Sequence, residues 1–145
     1  MAKIELMSWE AARTEASRIR FAVFVEEQGV PREIELDEMD SRCIHALAFD
    51  EGRAVGTGRL LPDAHIGRMA VLEGWRGRGV GGLILEALIA KARERGERKV
   101  FLSAQVHATE FYVRHGFSAI GEIYEEAGIP HRAMERALQA QIRRS

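Results

Sequence analysis

The sequence predicts an α/β fold in which helices flank one central sheet of mixed strand direction. The main observation is the order of the predicted elements, β-α-β-β-β-α-β-α-β-β, because alternating strands and helices pack as layers around a shared sheet. The composition agrees, since 46% of the 145 residues are apolar and 30% are charged, a balance typical of a globular domain with a buried core. No repeat, low-complexity stretch or linker interrupts the pattern, so residues 1–145 are predicted to form a single domain.

The first elements are a strand and a long helix. Residues 3–7 are predicted to be the strand, and Ser8 is suited to the N-cap of a helix over residues 9–26. Gly29 and Pro31 end this helix. Its apolar residues recur at helical spacing: Ala12, Ala16, Ile19 and Val23.

Three strands follow an acidic segment. Residues 32–42 (REIELDEMDSR) carry most of the local negative charge and are predicted to be a solvated loop. Residues 43–49 and 54–61 are predicted to form a hairpin, because the turn-forming residues DEGR separate them. After Pro62 turns the chain, residues 65–71 are predicted to be another strand.

The second half begins with a helix that follows a glycine-rich stretch and ends at Gly96. Its apolar face is formed by Val80, Leu83, Ile84, Ala87 and Leu88. The remaining predicted elements are a strand over 99–104, a short helix over 107–115, a strand over 117–124, a turn at EEAGIP and a last strand over 131–138.

Charge and cysteine content exclude several classes of protein. The formal net charge is −1, so the overall charge gives no reason to expect nucleic acid or an anionic membrane as a partner. No apolar run approaches the ~18 residues of a membrane span, and MAKIELMSWE lacks the apolar centre of a signal peptide. Cys43 is alone, which excludes an internal disulfide and a multi-cysteine metal site. We expect a cytoplasmic protein without a metal site.

The stretch WRGRGVGGLI, residues 75–84, places four glycines where a helix must begin. Glycine inside a helix costs about 0.5–1 kcal/mol relative to alanine, so another requirement must select it. Backbone N–H groups at a helix start bind anions, and the helix dipole favours negative charge there. Arg76 and Arg78 add positive charge. A tight strand-to-helix turn would explain one or two of these glycines but not four.

Three phosphate-binding motifs were compared with this stretch. A P-loop requires Lys and then Ser or Thr after its last glycine, and neither follows Gly81 or Gly82. Gly77, Gly79 and Gly82 satisfy G-x-G-x-x-G, but a dinucleotide site also needs an acidic residue after the next strand, where the sequence has Ser-Ala-Gln. The third motif, [Q/R]-x-x-G-x-[G/A], is met by Arg76, Gly79 and Gly81 and is favoured.

The chain resembles the GNAT superfamily of acetyl-CoA-dependent N-acyltransferases over nearly its whole length. IGRMAVLEGWRGRGVGGLILEAL is similar to the family's central strand, acetyl-CoA loop and helix, and LSAQVHATEFYVRHGF is similar to its second half. RFAVFVEEQGVP, the following E-x-D-x-x-D and YEEAGIPH resemble the ElaA-like group within it. The resemblance implies a mostly antiparallel sheet in which one pair of strands separates to hold acetyl-CoA.

The resemblance also implies where acetyl-CoA binds. The pantetheine arm would pair with the main chain around Met69, Ala70 and Val71, as an added strand does. Gln105 stands where the family often has an asparagine that contacts the pantetheine, and its amide has the same bonding groups. The diphosphate would lie on the loop and first helical turn, formed by Arg76, Gly77, Arg78, Gly79, Val80, Gly81 and Gly82.

For catalysis, the resemblance implies Tyr112 as the general acid that protonates the departing thiolate. Without the family, Tyr112 would instead be interpreted as a core aromatic on a short helix. Glu27, at the end of the first helix, is the candidate general base, and the alternative is a solvated carboxylate. His65 and His107 are further candidates for proton relay, and a water chain is another.

Charged residues near the predicted sheet centre leave two alternatives open. Arg20, Arg59 and Arg68 would pair with Glu27 or Asp37 in structural ion pairs, which we favour, or hold an acidic acceptor. The acidic residues of 32–42 would be solvated or would attract a cationic amine.

The sequence therefore predicts acetyl transfer from acetyl-CoA to a primary amine of a small molecule or peptide. The alternative is a module that binds acetyl-CoA as a sensor and transfers nothing. Exposed strand edges make a homodimer a further expectation.

Overall fold

A computed structural model describes residues 2–35 and 37–139 of the chain. Within these residues, strands form one sheet in the order β1-β2-β3-β4-β5-β8-β6, with β7 paired to β8. All neighbouring pairs are antiparallel except β4 and β5. The strands are β1 Lys3–Met7, β2 Ile44–Asp50, β3 Arg53–Leu60, β4 His65–Val71, β5 Lys99–Gln105, β6 Ser118–Ala119, β7 Tyr124–Glu126 and β8 Ile129–Ala137. The predicted fold class is confirmed.

Helices lie on both faces of the sheet. The α-helices are α1 Trp9–Arg20, α2 Arg32–Glu35, α3 Val80–Glu94 and α4 Thr109–Arg114. Shorter turns connect them: a π-helix over Phe21–Glu27 and 3-10 helices over Glu38–Arg42, Glu73–Trp75 and Val106–Ala108.

Helix α1 covers one face of the sheet. Its N-cap is Ser8, as predicted, whose side-chain oxygen accepts a hydrogen bond from the N–H of Ala11 at 3.3 Å. The helix buries Ala12, Ala16 and Ile19 in a small core. The predicted helix over 9–26 is correct in extent, but its last residues widen into the π-helix.

Helix α3 covers the other face and buries the larger core. The first apolar residues of α3 approach β3 closely because β3 contains glycines at the contact. A Cβ at Gly58 would lie 2.6 Å from Met69 Sδ and 2.9 Å from Ile84 Cγ2, so any side chain there would push the helix away. The α3 residues that are buried are Val80, Ile84, Leu85, Leu88, Ile89 and Ala92.

Strands β4 and β5 separate, and this feature positions the site. They pair in parallel only at His65↔Phe101 and Ile66↔Leu102. Beyond Ile66 the β5-facing edge of β4 has no strand partner in the described part of the chain, whereas its other edge pairs with β3 up to Gly56↔Val71. The splayed strand pair that the resemblance implied is therefore present.

Two regions differ from the prediction. The segment over 32–42 was expected to be a solvated loop, but it contains α2 and a 3-10 helix, and Asp40 is buried. The predicted strand over 117–124 is two short strands, β6 and β7, on the outer edge of β8. β7 and β8 form a hairpin whose two turn residues, Ala127 and Gly128, both have positive φ (53° and 76°).

None of the described helices is long and apolar enough to cross a membrane. Among the described residues, no group of three His, Cys, Asp or Glu side chains is arranged to hold a metal ion.

Candidate active site

A cavity of about 770 Å³ occupies the space between the diverging strands β4 and β5. The π-helix closes one side of it, and the β7–β8 hairpin closes another. The predicted residues Met69, Ala70, Val71, Gln105 and Tyr112 all line it, and so do Glu27 and Arg76. The structure therefore brings these seven predicted residues around one space, whereas the predicted residues 77–82 are not part of its lining.

The N-terminus of α3 lies beyond Val71, at the end of β4. Its N-cap, Gly79, has no side chain, and the first intrahelical bond runs from the N–H of Leu83 to the carbonyl of Gly79 at 3.1 Å. The N–H groups of Val80, Gly81 and Gly82 thus have no partner within the helix. The first turn of α3 contains no acidic residue. Three free donors in a first turn that contains no acidic residue suit an anion.

The fold itself explains three of the four glycines in this stretch. Gly77 and Gly79 have φ of 77° and 81°, a conformation in which side chains are strained. A Cβ at Gly82 would lie 3.2 Å from the His115 ring, which is tighter than an ordinary contact. Gly81 is different, because a Cβ there would meet nothing closer than 3.5 Å, the Phe111 ring. The packing of the described residues therefore does not require a bare backbone at Gly81.

Arg76 and Glu27 form a bidentate ion pair across the cavity mouth. The Arg76 Nη1 and Nη2 groups donate to the two Glu27 carboxylate oxygens at 2.9 and 2.8 Å. Arg76 Nε donates to the carbonyl of Val71 at 2.8 Å. Both side chains are partly exposed, so solvent screens the attraction between the two charges. The predicted phosphate ligand and the predicted base are therefore bound to each other.

Tyr112 lies on α4 and packs edge-on between two phenylalanines. Its ring centroid is 5.0 Å from that of Phe111 and 5.9 Å from that of Phe117. Burial raises the pKa of Tyr112 to about 12. The phenol is therefore protonated at neutral pH, as a proton donor must be.

Gln105 belongs to a chain of polar side chains at the end of β5. Its Nε2 donates to the Gln28 side-chain oxygen at 2.8 Å, and its own oxygen lies 2.7 Å from His107 Nε2. Gln28 is at the end of the π-helix. The chain links the two walls of the cavity and fixes the orientation of the Gln105 amide.

An arginine–carboxylate cluster is formed by Arg20, Arg59, Arg68, Glu35, Asp37 and Asp40, and four of these residues line the cavity: Glu35, Asp37, Arg59 and Arg68. Arg20 donates to both Asp40 oxygens, at 2.8 and 3.1 Å, and to Glu35. Arg59 donates to Asp40 at 2.8 Å and to Asp37 at 2.7 Å. The favoured prediction of structural ion pairs holds for these two arginines, with Asp37 as a partner but not Glu27. Because Glu35, Asp37 and Asp40 bind arginines, the prediction of a wholly solvated acidic loop is wrong.

Opposing effects act on the pKa of Asp40. Burial by itself would raise the pKa, but the hydrogen bonds and positive charges of Arg20 and Arg59 lower it below its ordinary value. The same arginine charges, together with burial as the larger cause, lower the pKa of the neighbouring His45. His45 Nε2 donates to the carbonyl of Asp40 at 2.8 Å.

His131 is a cavity residue that the sequence analysis did not select. Its Nδ1 lies 2.7 Å from the carbonyl of Ile129, which only accepts, so Nδ1 is a donor and Nε2 is the nitrogen that remains for another partner. Glu126 Oε2 lies 3.7 Å from Nε2. The register Gln105↔His131 between β5 and β8 places the ring beside the cavity. Only the pairing of β8 with β5 brings it there, and no local motif encodes that pairing.

The parallel strands β4 and β5 separate beside the glycine-rich start of α3. This arrangement is typical of one class of protein, the α/β acyltransferases that bind an acyl-coenzyme A in the opening. The sequence matches the family described as acetyltransferase (GNAT) domain over residues 10–138. The chain therefore belongs to the GNAT acetyltransferase family, and the expectation of an N-acetyltransferase is confirmed.

Relatives and solved structures agree with this assignment. The Bacillus subtilis (strain 168) protein named uncharacterized N-acetyltransferase YjcF is 39% identical over 124 residues, 83% of this chain and 89% of YjcF. Protein ElaA of Escherichia coli (strain K12) is 34% identical over 127 residues, 82% of this chain and 83% of ElaA.

The crystal structure of Escherichia coli ElaA superposes with a TM-score of 0.83 at 30% identity, over 94% of this chain and 99% of that one. An acyl-CoA N-acyltransferase from Pseudomonas aeruginosa superposes with a TM-score of 0.81 at 29% identity, over 94% of this chain and 100% of that one. Members of this family bind an acyl-CoA and an acceptor. The resemblance to the ElaA-like group is also confirmed.

Proposed function

We propose that the protein transfers the acetyl group of acetyl-CoA to the primary amine of a small acceptor. The observation that carries the proposal is the opening between β4 and β5, which has free N–H donors at one end and the protonated Tyr112 on its wall. An elongated ligand with an anionic end and a thioester end matches this arrangement.

Acetyl-CoA fits the residues present. The unpaired edge of β4 at Met69, Ala70 and Val71 offers main-chain groups to the peptide-like pantetheine arm. The diphosphate would lie on the N–H groups of residues 76–82, where the bare backbone of Gly81 leaves room. Gln105, held by Gln28, presents its amide to the cavity.

Binding of the diphosphate would also change the Arg76–Glu27 pair. Arginine binds phosphate oxygens through the same planar fork that it now presents to Glu27. We infer that Arg76 turns to the diphosphate when the coenzyme binds and thereby frees the Glu27 carboxylate. Coenzyme binding would then precede activation of the acceptor.

The chemical step is attack of the neutral amine nitrogen on the thioester carbonyl carbon. The C–N bond forms, and the negative charge that develops on the oxygen is stabilised by a backbone N–H near Val71. The C–S bond then breaks, and the thiolate takes the proton of the Tyr112 hydroxyl. The amine proton leaves to the base, so the products are an acetamide and a free thiol.

Glu27 is the proposed base, and His131 is its rival because it lines the cavity and its Nε2 is not used by the Ile129 carbonyl. Two variants separate them: Glu27→Gln and His131→Gln, each tested with acceptor amines at saturating acetyl-CoA. The base is the residue whose loss lowers kcat most at neutral pH and least at high pH, where the amine is already deprotonated.

The test of the proposed function is release of free thiol from acetyl-CoA by the purified protein with a panel of primary amines, read against the same mixture without amine. Acetyl transfer predicts thiol release that depends on one class of amine and an acetamide product of the matching mass. Binding of acetyl-CoA without thiol release from any amine in the panel would contradict the proposal and support the sensor alternative.

A further inference from the structure

We propose that Arg68 binds a carboxylate of the acceptor, so that the substrates are amino acids, molecules that carry the reacting amine and a carboxylate together. This inference rests on the proposed acetyl transfer and specifies its acceptor. It is argued from the contrast between Arg68 and the two other arginines of the arginine–carboxylate cluster.

Arg20 and Arg59 are fully engaged inside the protein. Each is at least nine-tenths buried, and each makes close ion pairs with two carboxylates: Arg20 with Asp40 and Glu35, Arg59 with Asp40 and Asp37. A buried guanidinium needs such partners, because an unpaired charge away from water is costly. All three guanidinium nitrogens of Arg20 and both terminal nitrogens of Arg59 donate to these partners, and the Nε of Arg59 is shielded from solvent.

Arg68 lacks close partners although it is surrounded by charge. Its Nη2 is 3.5 Å from Asp37 Oδ2, and its Nε is 3.9 Å from Glu35 Oε1. Both carboxylates are already bound, Asp37 to Arg59 at 2.7 Å and Glu35 to Arg20. The Nε atom of Arg68 is shielded from solvent and makes no hydrogen bond to a described residue. No described residue accepts from its Nη1.

The side chain of Arg68 lines the cavity and is 27% exposed. Burial, and the positive charges of Arg59 and Arg20, lower the pKa of Arg68. An anion beside it would relieve that repulsion. The backbone holds the side chain there at φ 48°, an unfavourable conformation for a residue other than glycine.

Guanidinium and carboxylate match each other in shape and charge. A planar fork of two N–H donors meets two carboxylate oxygens, and such pairs are the strong ones among protein hydrogen bonds. The cluster contains three arginines and three carboxylates, so it is formally neutral and gains no charge when a zwitterion with one carboxylate and one ammonium binds. A diamine would bring only positive charge to Arg68 and is disfavoured.

The geometry also orients the acceptor. Arg68 is on β4 immediately before Met69, Ala70 and Val71, along which the pantetheine arm is proposed to lie. A carboxylate on Arg68 therefore leaves the amine to reach toward the thioester. The site would therefore select acceptors by the distance between their carboxylate and their amine.

The experiment measures kcat/KM for thiol release with matched acceptors. Unbranched ω-amino acids, from glycine to aminohexanoate, are each compared with the alkylamine of the same length and with the amino acid amide. α-Amino acids and their amides form a second set. We expect kcat/KM for the acceptors that carry a carboxylate to exceed that for the matched compounds that lack it by about 10–100-fold, with an optimum at one chain length.

Arg68→Gln and Arg68→Lys test the residue itself, and Arg13→Gln, an exposed arginine on α1, is the matched control. Arg68→Gln should raise KM for the preferred amino acid by about 10-fold or more and abolish the preference over its amide, with Arg68→Lys intermediate. The affinity for acetyl-CoA, measured by calorimetry, should stay within about two-fold, which shows that the variants remain folded.

The outcomes separate this inference from the proposed function. Equal rates for amino acids and their amides, or a preference for diamines, would refute the role of Arg68 while leaving acetyl transfer intact. Unchanged selectivity in Arg68→Gln with unchanged acetyl-CoA affinity would do the same. Binding of acetyl-CoA without transfer to any amine would instead refute the proposed function.

Discussion

The buried end of the arginine–carboxylate cluster and the mouth of the cavity use the same chemical groups in different ways. At the buried end, Asp40 receives close hydrogen bonds from Arg20 and Arg59. At the mouth, Arg76 and Glu27 satisfy each other on a partly exposed surface, and the intervening Arg68 has only distant partners. The pairs at the buried end are placed to hold the fold, and we propose that the partly exposed Arg76 and the loosely paired Arg68 are the groups that meet ligands.

The largest expected effect tests the structural half of this comparison. Asp40→Asn removes the carboxylate shared by two buried arginines, and breaking a buried ion pair costs about 3–5 kcal/mol. The free energy of unfolding, from urea titration, should fall by that amount, whereas Glu5→Gln on the exposed edge of β1 should change it little. A loss below about 1 kcal/mol would mean that the pairs are not structural.

The next effect tests the cavity half. Tyr112→Phe removes the proton donor but keeps the ring contacts with Phe111 and Phe117, so kcat should fall about 100-fold. The rate of thiol release and the affinity for acetyl-CoA are measured on the same preparation. An affinity that changes less than about two-fold confirms that the loss is chemical, and an unchanged kcat would remove Tyr112 from the mechanism.

A pH effect sharpens the description of the buried end. Since the folded pKa of His45 is lowered, the unfolded chain binds its proton more readily, and stability falls as pH drops below about 6.5 until the folded pKa is reached. The free energy of unfolding changes by at most about 1.4 kcal/mol per pH unit for one proton.

The control for that effect is His45→Gln, which keeps a donor for the Asp40 carbonyl. In the variant, the free energy of unfolding should lose this part of its pH dependence between pH 7 and pH 5. The carboxylates act lower: because the folded pKa values of Asp37 and Asp40 are lowered, their contribution is present above about pH 4 and is lost as pH falls through the folded values. An identical slope in the variant and the parent would show that His45 is not the titrating group.

The smallest effect tests the α3 loop. Gly81→Ala should stabilise the protein by about 0.5–1 kcal/mol, since alanine favours a helix and a Cβ meets nothing closer than 3.5 Å. It should also weaken acetyl-CoA binding several-fold by crowding the diphosphate. Gly74→Ala, whose Cβ would have open space, is the control. Stabilisation without loss of affinity would place the diphosphate elsewhere.

Local sequence patterns predicted the helices and strands that depend on interactions between residues close in the sequence. Ser8 as a cap, the apolar spacing of α1 and α3 and the turn-separated runs of β2 and β3 all follow from interactions between near neighbours. The separation of β4 and β5 came from the family resemblance, because no spacing in the sequence encodes where two strands part.

Contacts between distant residues account for what the sequence could not predict. The acidic segment was expected to be solvated because the arginines that bind it are distant in the sequence. Arg20 lies 15 residues from Glu35, and Arg59 lies 22 residues from Asp37. Glu27 and Arg76 are 49 residues apart, and both were selected without any indication that they pair. His131 reaches the cavity only through the register of β8 with β5.

The most direct test of the account is a crystal structure of the protein with coenzyme A. In that structure the diphosphate should lie within hydrogen-bonding distance of the amides of residues 80–82, with the Arg76–Glu27 pair opened and the thiol end beside Tyr112. A coenzyme bound outside the opening between β4 and β5, with Arg76 still paired to Glu27, would contradict it.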